Sequence, residues 1–184
     1  HTFHSFCNQV ISENIELFGG YYDLQALSDL ERIQLMNELI DDFSEDHLLK
    51  RYKGNVYYDR LRLEKLFDTL KKEDWTPEYV KVKAEEYLEA LKEDPDFRYK
   101  RRYGKFQKGD LKLIEYNRQK RKIDEFIAGA LELKNYEQKL KEKERFDFND
   151  MILWVINKFK DNADLLSEYQ ERYQYFLVDE YQDT

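Results

Sequence analysis

Towards its C-terminus the chain reads YFLVDEYQDT over residues 175–184, an apolar run followed at once by two carboxylates. The four apolar residues 175–178 predict one short C-terminal β-strand, of the kind that is buried on both faces of a parallel sheet. Open α/β sheets bind ligands at the carboxyl ends of their strands, which would place Asp179 and Glu180 at a ligand site. For an Asp-Glu pair taken alone, a solvated turn is the commoner interpretation.

The composition of the whole chain favours long helices. Its 184 residues include 15 Tyr, 12 Phe and 2 Trp but only 6 Gly and 2 Pro, which disfavours a turn-rich β-sandwich. A hydrophobic content of 41% excludes a disordered tail. No apolar run approaches the roughly 20 residues that cross a bilayer, and no secretory signal opens the chain. Cys7 is the single cysteine, so no internal disulfide is possible, and we expect a cytoplasmic protein.

Capping residues and helical spacing of apolar residues predict where helices begin. Ser28 and Glu31 match a capping box, so a helix should follow with one apolar face. That face would carry Leu30, Ile33, Asn37 and Ile40. Thr76 as N-cap and Pro77 at the first helical position predict a helix over residues 77–93. The other predicted helices cover residues 5–17, 59–72, 110–144, 149–160 and 164–172.

Two of these predictions depend on single boundary residues. Gly19 and Gly20 are expected to end the first helix, because glycine is unfavourable in a helix interior. Asp110 is expected to cap the longest helix, in which Gly129 is the weakest position.

One segment is strongly basic although the whole chain has a net charge of −8. Residues 98–122 contain eleven basic side chains against Asp110 and Glu115, and Tyr99, Tyr103 and Phe106 alternate with the cations. Such a composition favours a surface that follows phosphates and stacks on bases. The candidate contact residues are Lys100, Arg101, Arg102, Lys105 and Lys108. The alternative is a solvated loop whose cations pair with neighbouring acidic helices.

Two segments at opposite ends of the chain resemble one protein family. Residues 176–184 resemble motif II of the UvrD/Rep/PcrA branch of superfamily 1 helicases, which includes the Walker B carboxylates. The segment TFHSF, residues 2–6, resembles the Thr-Phe-His-Ser motif of the same family, which lies along single-stranded DNA. Two motifs in the order of the family make the resemblance specific.

A third segment, FDFNDMI at residues 146–152, resembles the Asp-Phe-Asp-Asp-Leu-Leu segment of the family, with Asn149 in place of a usual Asp. We expect Asp147, Asn149 and Asp150 to lie at the start of a helix and to act there as caps rather than as metal ligands.

The resemblance implies roles for individual residues. Asp179 would hold Mg²⁺ and Glu180 would be the general base for ATP hydrolysis. Gln182 and Asp183 would couple the nucleotide state to neighbouring motifs. The residues matching the single-stranded DNA motif are Thr2, His4 and Ser5. Their hydroxyl and imidazole donors would bind phosphate oxygens without reading the base sequence.

The resemblance also implies a fold and a division into domains. The expected fold is mainly α, with a helical insertion flanked by two pieces of a RecA-like α/β core of the P-loop NTPase type. Residues 1–19 would be the first piece of the core, residues 20–145 the insertion, which is similar to subdomain 1B, and residues 146–184 the return to the core. The insertion is assigned by its length and helical character alone.

The expected function is that of a fragment of an ATP-dependent DNA helicase, which moves 3′ to 5′ and acts in repair or recombination. The longer protein would need ATP and Mg²⁺, and the insertion would contact duplex or junction DNA. The sequence has no Gly-x-x-x-x-Gly-Lys-Ser/Thr loop and opens at His1, so we expect an excerpt that is inactive alone. One alternative is a helical module that docks a repair partner without DNA. Another is a separate helical scaffold whose terminal motifs are coincidental.

Overall fold

The computed structural model describes residues 2–179, except for the side chain of Tyr22. In this range the chain is mainly helical, as predicted, and it has one pair of two-residue strands. The helices are α1 (Phe3–Glu13), α2 (Ile15–Tyr22), α3 (Asp29–Asp41), α4 (Arg60–Lys72), α5 (Pro77–Glu93), α6 (Leu113–Leu131), α7 (Leu133–Glu142), α8 (Phe148–Asp161) and α9 (Ala163–Arg172). None of the described helices is long and apolar enough to cross a membrane.

The chain divides into two compact units. The terminal unit combines the described residues up to Leu24 with those from Asp147 onward, and the central unit covers Gln25–Phe146. In the central unit, strand β1 (Gln25–Ala26) pairs in parallel with strand β2 (Arg145–Phe146). The first and last residues of the central unit are therefore neighbours.

The terminal unit is built from α1, α2, α8 and α9. Its buried side chains include Val10 and Phe18, which have no exposed surface, and Val155, Leu165 and Tyr169 from the later helices. Asp147 caps α8 in a capping box that Asp150 completes, and the Asn149 N–H donates to Asp147 within the first helical turn. The expectation that these residues serve as caps is confirmed for Asp147 and Asp150.

The main core of the central unit lies between α3, α4, α6 and α7. Its most deeply buried side chains are Leu35, Met36, Leu39, Ile40 and Leu70. A smaller cluster of Leu88, Leu91 and Tyr116 joins α5 to α6, with Phe97, Leu111 and Ile123 packed against it. This second cluster supports the basic segment described below.

The helix starts predicted from the caps Ser28 and Thr76 are confirmed. The Ser28 hydroxyl accepts from the Glu31 N–H at 3.3 Å, and the Thr76 hydroxyl accepts from the Tyr79 N–H at 3.1 Å. The predicted apolar face of α3 is wrong in its first half, however, since Leu30 and Ile33 are 65% and 39% exposed, whereas Ile40 of the same face is buried. The burial of Leu35, Met36 and Leu39 beside Ile40 shows that the buried face of α3 is displaced around the helix from the predicted stripe.

Gly19 and Gly20 do not end a helix, contrary to the prediction, because α2 runs through both. Glycine costs about 1 kcal/mol in a helix, which the burial of a neighbouring aromatic ring such as Phe18 offsets. The break comes earlier, at Asn14, where the side-chain amide donates to the Val10 carbonyl and to the Tyr169 hydroxyl.

The long predicted helix over residues 110–144 is also wrong in two respects. It begins at Leu113, because the Asp110 carboxylate accepts from the Gln107 N–H at 2.7 Å and does not cap a helix. It is interrupted at Glu132, and α7 then places Leu133, Tyr136 and Leu140 in the core.

The predicted strand at residues 175–178 is not formed. Its side chains are exposed, with Leu177 completely so and Tyr175 at 89%. A strand needs a neighbouring strand to pair its N–H and C=O groups, and no other part of the described chain lies alongside this segment as a strand.

Candidate nucleic-acid interface

Residues 98–112 form a hairpin, here called the basic hairpin, between a 3₁₀ turn at Pro95–Phe97 and helix α6. The Lys112 N–H donates to the Phe97 carbonyl at 2.7 Å, and the Tyr99 N–H donates to the Asp110 carbonyl at 2.9 Å. Near the tip, the N–H groups of Tyr103 and Phe106 each donate to the carbonyl of the other at 3.0 Å. These hydrogen bonds connect the two arms of the hairpin from its base to its tip.

Two glycines allow the tight turns of the basic hairpin. Gly104 lies at the tip with φ of 57°, and Gly109 lies lower down with φ of 94°. Side chains with a Cβ atom rarely adopt these left-handed conformations. At the base, Phe97 and Leu111 pack against the small core of Leu88, Leu91 and Tyr116, so helices α5 and α6 support the hairpin.

Three aromatic rings of the basic hairpin are nearly parallel. The Tyr99 and Phe106 ring centroids are 4.8 Å apart with planes 10° apart, and the Tyr99 and Tyr103 centroids are 6.2 Å apart with planes 9° apart. Tyr99 and Phe106 are half-buried, whereas Tyr103 is 69% exposed. The hairpin therefore presents a stack of rings whose Tyr103 member faces water.

Several cations of this segment are engaged within the protein. Arg98 pairs with Glu93 at 2.9 Å and also donates to the Gly109 carbonyl at 2.8 Å. Lys100 pairs with Asp96 at 3.2 Å, and Lys112 donates to the Asp96 carbonyl at 2.9 Å. The interpretation of the cations as partners of acidic neighbours therefore holds for the base of the hairpin.

The remaining predicted contact residues are Arg101, Arg102, Lys105 and Lys108, which lie nearer the tip. All four are exposed, and none forms an ion pair with another residue in the range 2–179. The Lys105 ammonium nitrogen lies 5.5 Å from the centroid of the Phe106 ring, so this cation is adjacent to the ring stack. These four positive charges, which form no ion pair with a described residue, lie in the same segment as the exposed ring of Tyr103.

Thr2, His4 and Ser5 lie at the start of α1, where Thr2 is the N-cap. The Thr2 hydroxyl oxygen accepts from the Ser5 N–H at 3.1 Å, and the Ser5 hydroxyl donates to the Thr2 carbonyl at 2.9 Å. The Thr2 hydroxyl proton has no acceptor among the described residues, so it can be donated to a ligand. The Ser5 hydroxyl proton is already used within the helix cap.

The His4 side chain packs against Phe148 and does not face solvent with its Nε2 atom. Its ring meets the Phe148 ring edge-on at a centroid distance of 5.5 Å, and its Nε2 atom is buried without a hydrogen-bond partner in the described part of the chain. In this conformation the Nε2 atom is not available to an external phosphate. A buried polar atom without a partner is costly, which marks this position as a departure from ordinary packing.

The carboxylates of the motif II segment are only partly described. Asp179 is exposed, and Glu180, Gln182 and Asp183 lie outside the described residues. Within residues 2–179, no group of three His, Cys, Asp or Glu side chains is arranged to hold a metal ion.

Sequence reasoning missed the residues that decide which cations are free. Asp96 neutralises Lys100 from four positions earlier, a spacing that is readable in the sequence. Glu93 reaches Arg98 from the end of α5, for which the sequence carries no comparable signal.

The chain was compared with known proteins. The family model described as the UvrD/REP helicase N-terminal domain matches residues 1–184. An ATP-dependent DNA helicase PcrA of Staphylococcus epidermidis is 25% identical over 183 residues, which cover 100% of this chain and 19% of that protein. The PcrA helicase of Leuconostoc citreum is 43% identical over 49 residues, 27% of this chain and 6% of its own length. No solved structure matches at a significant level.

Proposed function

The chain belongs to the UvrD/REP helicase family, and we propose that it is part of an ATP-dependent DNA helicase in which the basic hairpin contacts duplex or junction DNA. The observation that carries this proposal is that four exposed cations of the basic hairpin, which also carries the ring stack, form no ion pair with a described residue. The chain spans about a fifth of the length of the full-chain relative, so the activity of the whole protein is part of the proposal.

The electrostatic argument starts from the contrast between the hairpin and the whole chain. A chain with a net charge of −8 repels a polyanion from most of its surface. The hairpin carries four exposed cations that form no ion pair with a described residue: Arg101, Arg102, Lys105 and Lys108. Hydrogen bonds across the hairpin hold the backbone that carries them. Phosphates of DNA would neutralise these charges and release counterions, which favours binding at this one place.

The remaining assignments extend the proposal to the longer protein. The residues that would lie along single-stranded DNA are Thr2, His4 and Ser5. The Thr2 hydroxyl oxygen accepts within the helix cap, so its proton would be donated to the DNA. Asp179 and Glu180 would serve as magnesium ligand and general base, and Gln182 and Asp183 would link the ATP site to neighbouring motifs.

The domain organisation belongs to the same proposal. Residues 1–19 and 146–184 would be parts of the RecA-like core, and residues 20–145 its helical insertion. Translocation 3′ to 5′ with ATP and Mg²⁺, action in repair or recombination, and a cytoplasmic location are proposed for the longer protein.

The proposal is tested by fluorescence anisotropy with a tailed duplex, a blunt duplex and a single strand at several salt concentrations. We expect affinity to fall steeply with salt, because each neutralised phosphate adds about 0.7 to 0.9 to the log–log slope. The variant Arg101→Glu/Arg102→Glu/Lys108→Glu should bind weakly to every DNA, with a slope smaller by about 2 to 3.

A matched control keeps this experiment specific. The variant Lys53→Glu/Lys65→Glu/Lys72→Glu makes the same change of charge at exposed lysines outside the hairpin and should retain most of the salt slope. Circular dichroism checks that both variants are folded. If the folded wild-type chain binds none of the three DNAs, the proposal fails, and a module that docks a protein partner becomes the better account.

A further inference from the structure

The exposed ring of Tyr103 is the feature that phosphate binding leaves unexplained. Its side chain is 69% exposed at the tip of the hairpin, although its neighbours Tyr99 and Phe106 are half-buried in the same stack. Cations alone suffice to hold phosphates, so a phosphate-binding loop has no need of an exposed aromatic ring. A flat ring facing water is suited to one more planar group.

We propose that Tyr103 is a stacking platform for an unpaired or terminal base of the bound DNA. This inference rests on the proposed function and narrows its substrate to DNA with an exposed base, such as a fork, a single strand or a duplex end. Bases inside a continuous duplex are already stacked on both faces and would offer the hairpin only their phosphates.

The geometry of the ring stack supports base stacking. Tyr99 lies parallel to both Phe106 and Tyr103, within 10° in each case, so the rings share one orientation before any ligand arrives. The two backbone bonds between Tyr103 and Phe106, each 3.0 Å, hold the tip in place. A base would therefore meet a preorganised ring and would not have to order a mobile side chain.

The charges around the ring favour a nucleotide over an uncharged planar ligand. Arg101 and Arg102 precede Tyr103, and Lys105 follows it two residues later. A nucleotide whose base lies on the Tyr103 ring would have its phosphates beside these cations. Sequence-tolerant stacking combined with backbone cations is the usual mode of binding to unpaired strands.

The test compares a forked duplex with a relaxed, covalently closed circular duplex as competitors for the 184-residue chain, matched by nucleotide concentration. We expect the wild-type chain to prefer the fork by about 10-fold, the effect of stacking one base. Tyr103→Ala should lose this preference with an unchanged salt slope, because the lost contact is uncharged. A 2-aminopurine at the fork should be quenched by the wild-type chain and not by the variant.

Two control variants separate the ring from other effects. Tyr103→Phe keeps the ring without the hydroxyl and should behave as wild type, and Tyr87→Ala removes an exposed tyrosine from α5 and should also have no effect. If Tyr103→Ala keeps the fork preference while Arg101→Glu/Arg102→Glu/Lys108→Glu loses binding, the stacking inference fails and the proposed function stands. If no DNA binds but an acidic tyrosine-rich peptide does, both fail.

Discussion

Glu13 of α1 and Arg172 of α9 form a two-bond ion pair although they are 159 residues apart in the sequence. The Arg172 guanidinium donates to the two carboxylate oxygens of Glu13 at 2.6 and 3.2 Å, and the Tyr169 hydroxyl donates to the same group at 2.8 Å. This contact ties the first helix of the terminal unit to its last, so it joins the two stretches of chain that flank the central unit.

The Glu13 contact predicts an acid-dependent contribution to stability. Hydrogen bonds from Arg172, Gln9 and Tyr169 lower the pKa of Glu13 from 4.5 to about 2. The contribution of the ionised Glu13 carboxylate to the free energy of unfolding is fully present above pH 4.5. It is lost as the pH falls towards 2, because Glu13 takes up a proton at a higher pH in the unfolded state than in the folded state. Glu13→Gln should therefore lower the melting temperature at pH 6, by an amount that shrinks towards pH 2.

Thermal melts of Glu13→Gln and wild type from pH 6 to pH 2.5 measure this effect. Glu171→Gln is the control, since Glu171 is exposed on the same helix as Arg172 and forms no ion pair with a described residue. A difference between Glu13→Gln and wild type that stays constant over this pH range would contradict the prediction.

His47 predicts a second pH effect, in the central unit. Its Nδ1 accepts from the Leu49 N–H at 3.2 Å and its Nε2 lies 3.3 Å from a Glu132 oxygen, so the neutral ring carries its proton on Nε2. Burial lowers the pKa of His47 below 6.5, and the Glu132 charge offsets part of this shift. The contribution of the neutral His47 ring to the free energy of unfolding is fully present above pH 6.5. It declines as the pH falls towards the pKa of the folded state, because the unfolded state takes up the proton first.

An NMR titration of the His47 imidazole tests this prediction directly. The wild-type pKa should lie below 6.5, and Glu132→Gln should lower it further, because the variant removes the charge that favours the imidazolium. A wild-type pKa at or above 6.5, or a rise in the variant, would show that burial does not dominate at this site.

Two glycines in helices should respond in opposite ways to substitution. A Cβ atom at Gly129 would lie 3.2 Å from the Leu63 side chain, because α4 and α6 approach closely there, whereas Gly19 has no neighbour within 4 Å. Gly129→Val should lower the free energy of unfolding by about 1 to 3 kcal/mol through overpacking. Gly19→Ala should raise it by up to about 1 kcal/mol through helix propensity.

Urea denaturation with a common fluorescence signal compares the two glycine variants. If Gly129→Val had the same free energy of unfolding as wild type, α4 and α6 would be able to move apart at little cost. That result would contradict the prediction.

Cys7 offers a chemical probe of the terminal unit. Burial raises the pKa of its thiol to about 11, so very little thiolate is present at pH 8. Since Cys7 is the single cysteine of the chain, the reaction with Ellman's reagent should be slow in the native protein and fast in 6 M guanidinium. A native rate equal to that of a free thiol would contradict the burial of Cys7.

Local signals in the sequence predict the helix starts well. Thr76 and Pro77 predict α5 with both bounds as found, and the Ser28 capping box predicts the start of α3. Each of these depends on contacts within four residues, which a sequence pattern contains. The predicted strand at residues 175–178 and the buried face of α3 depend instead on distant neighbours. The strand is not formed, and of the predicted face only Ile40 is buried.

The candidate site was predictable in composition but not in geometry. The cations and rings of residues 98–112 are evident in the sequence, but ring alignment depends on hydrogen bonds across the hairpin, such as that from Tyr99 to Asp110. The pairing of Arg98 with Glu93 likewise follows from the way the hairpin leaves α5. Apart from the i,i+4 spacing of Asp96 and Lys100, it is the folded backbone that distinguishes the cations at the base of the hairpin from those near its tip.

The central claim, that the basic hairpin contacts DNA, is tested most directly by photo-crosslinking. A tailed duplex with 5-iodouracil at the junction is irradiated in complex with the 184-residue chain, and the crosslinked peptides are identified by mass spectrometry. We predict crosslinks within residues 98–112, with Tyr103 among the modified side chains. Crosslinks confined to other parts of a folded, DNA-binding chain would contradict the account.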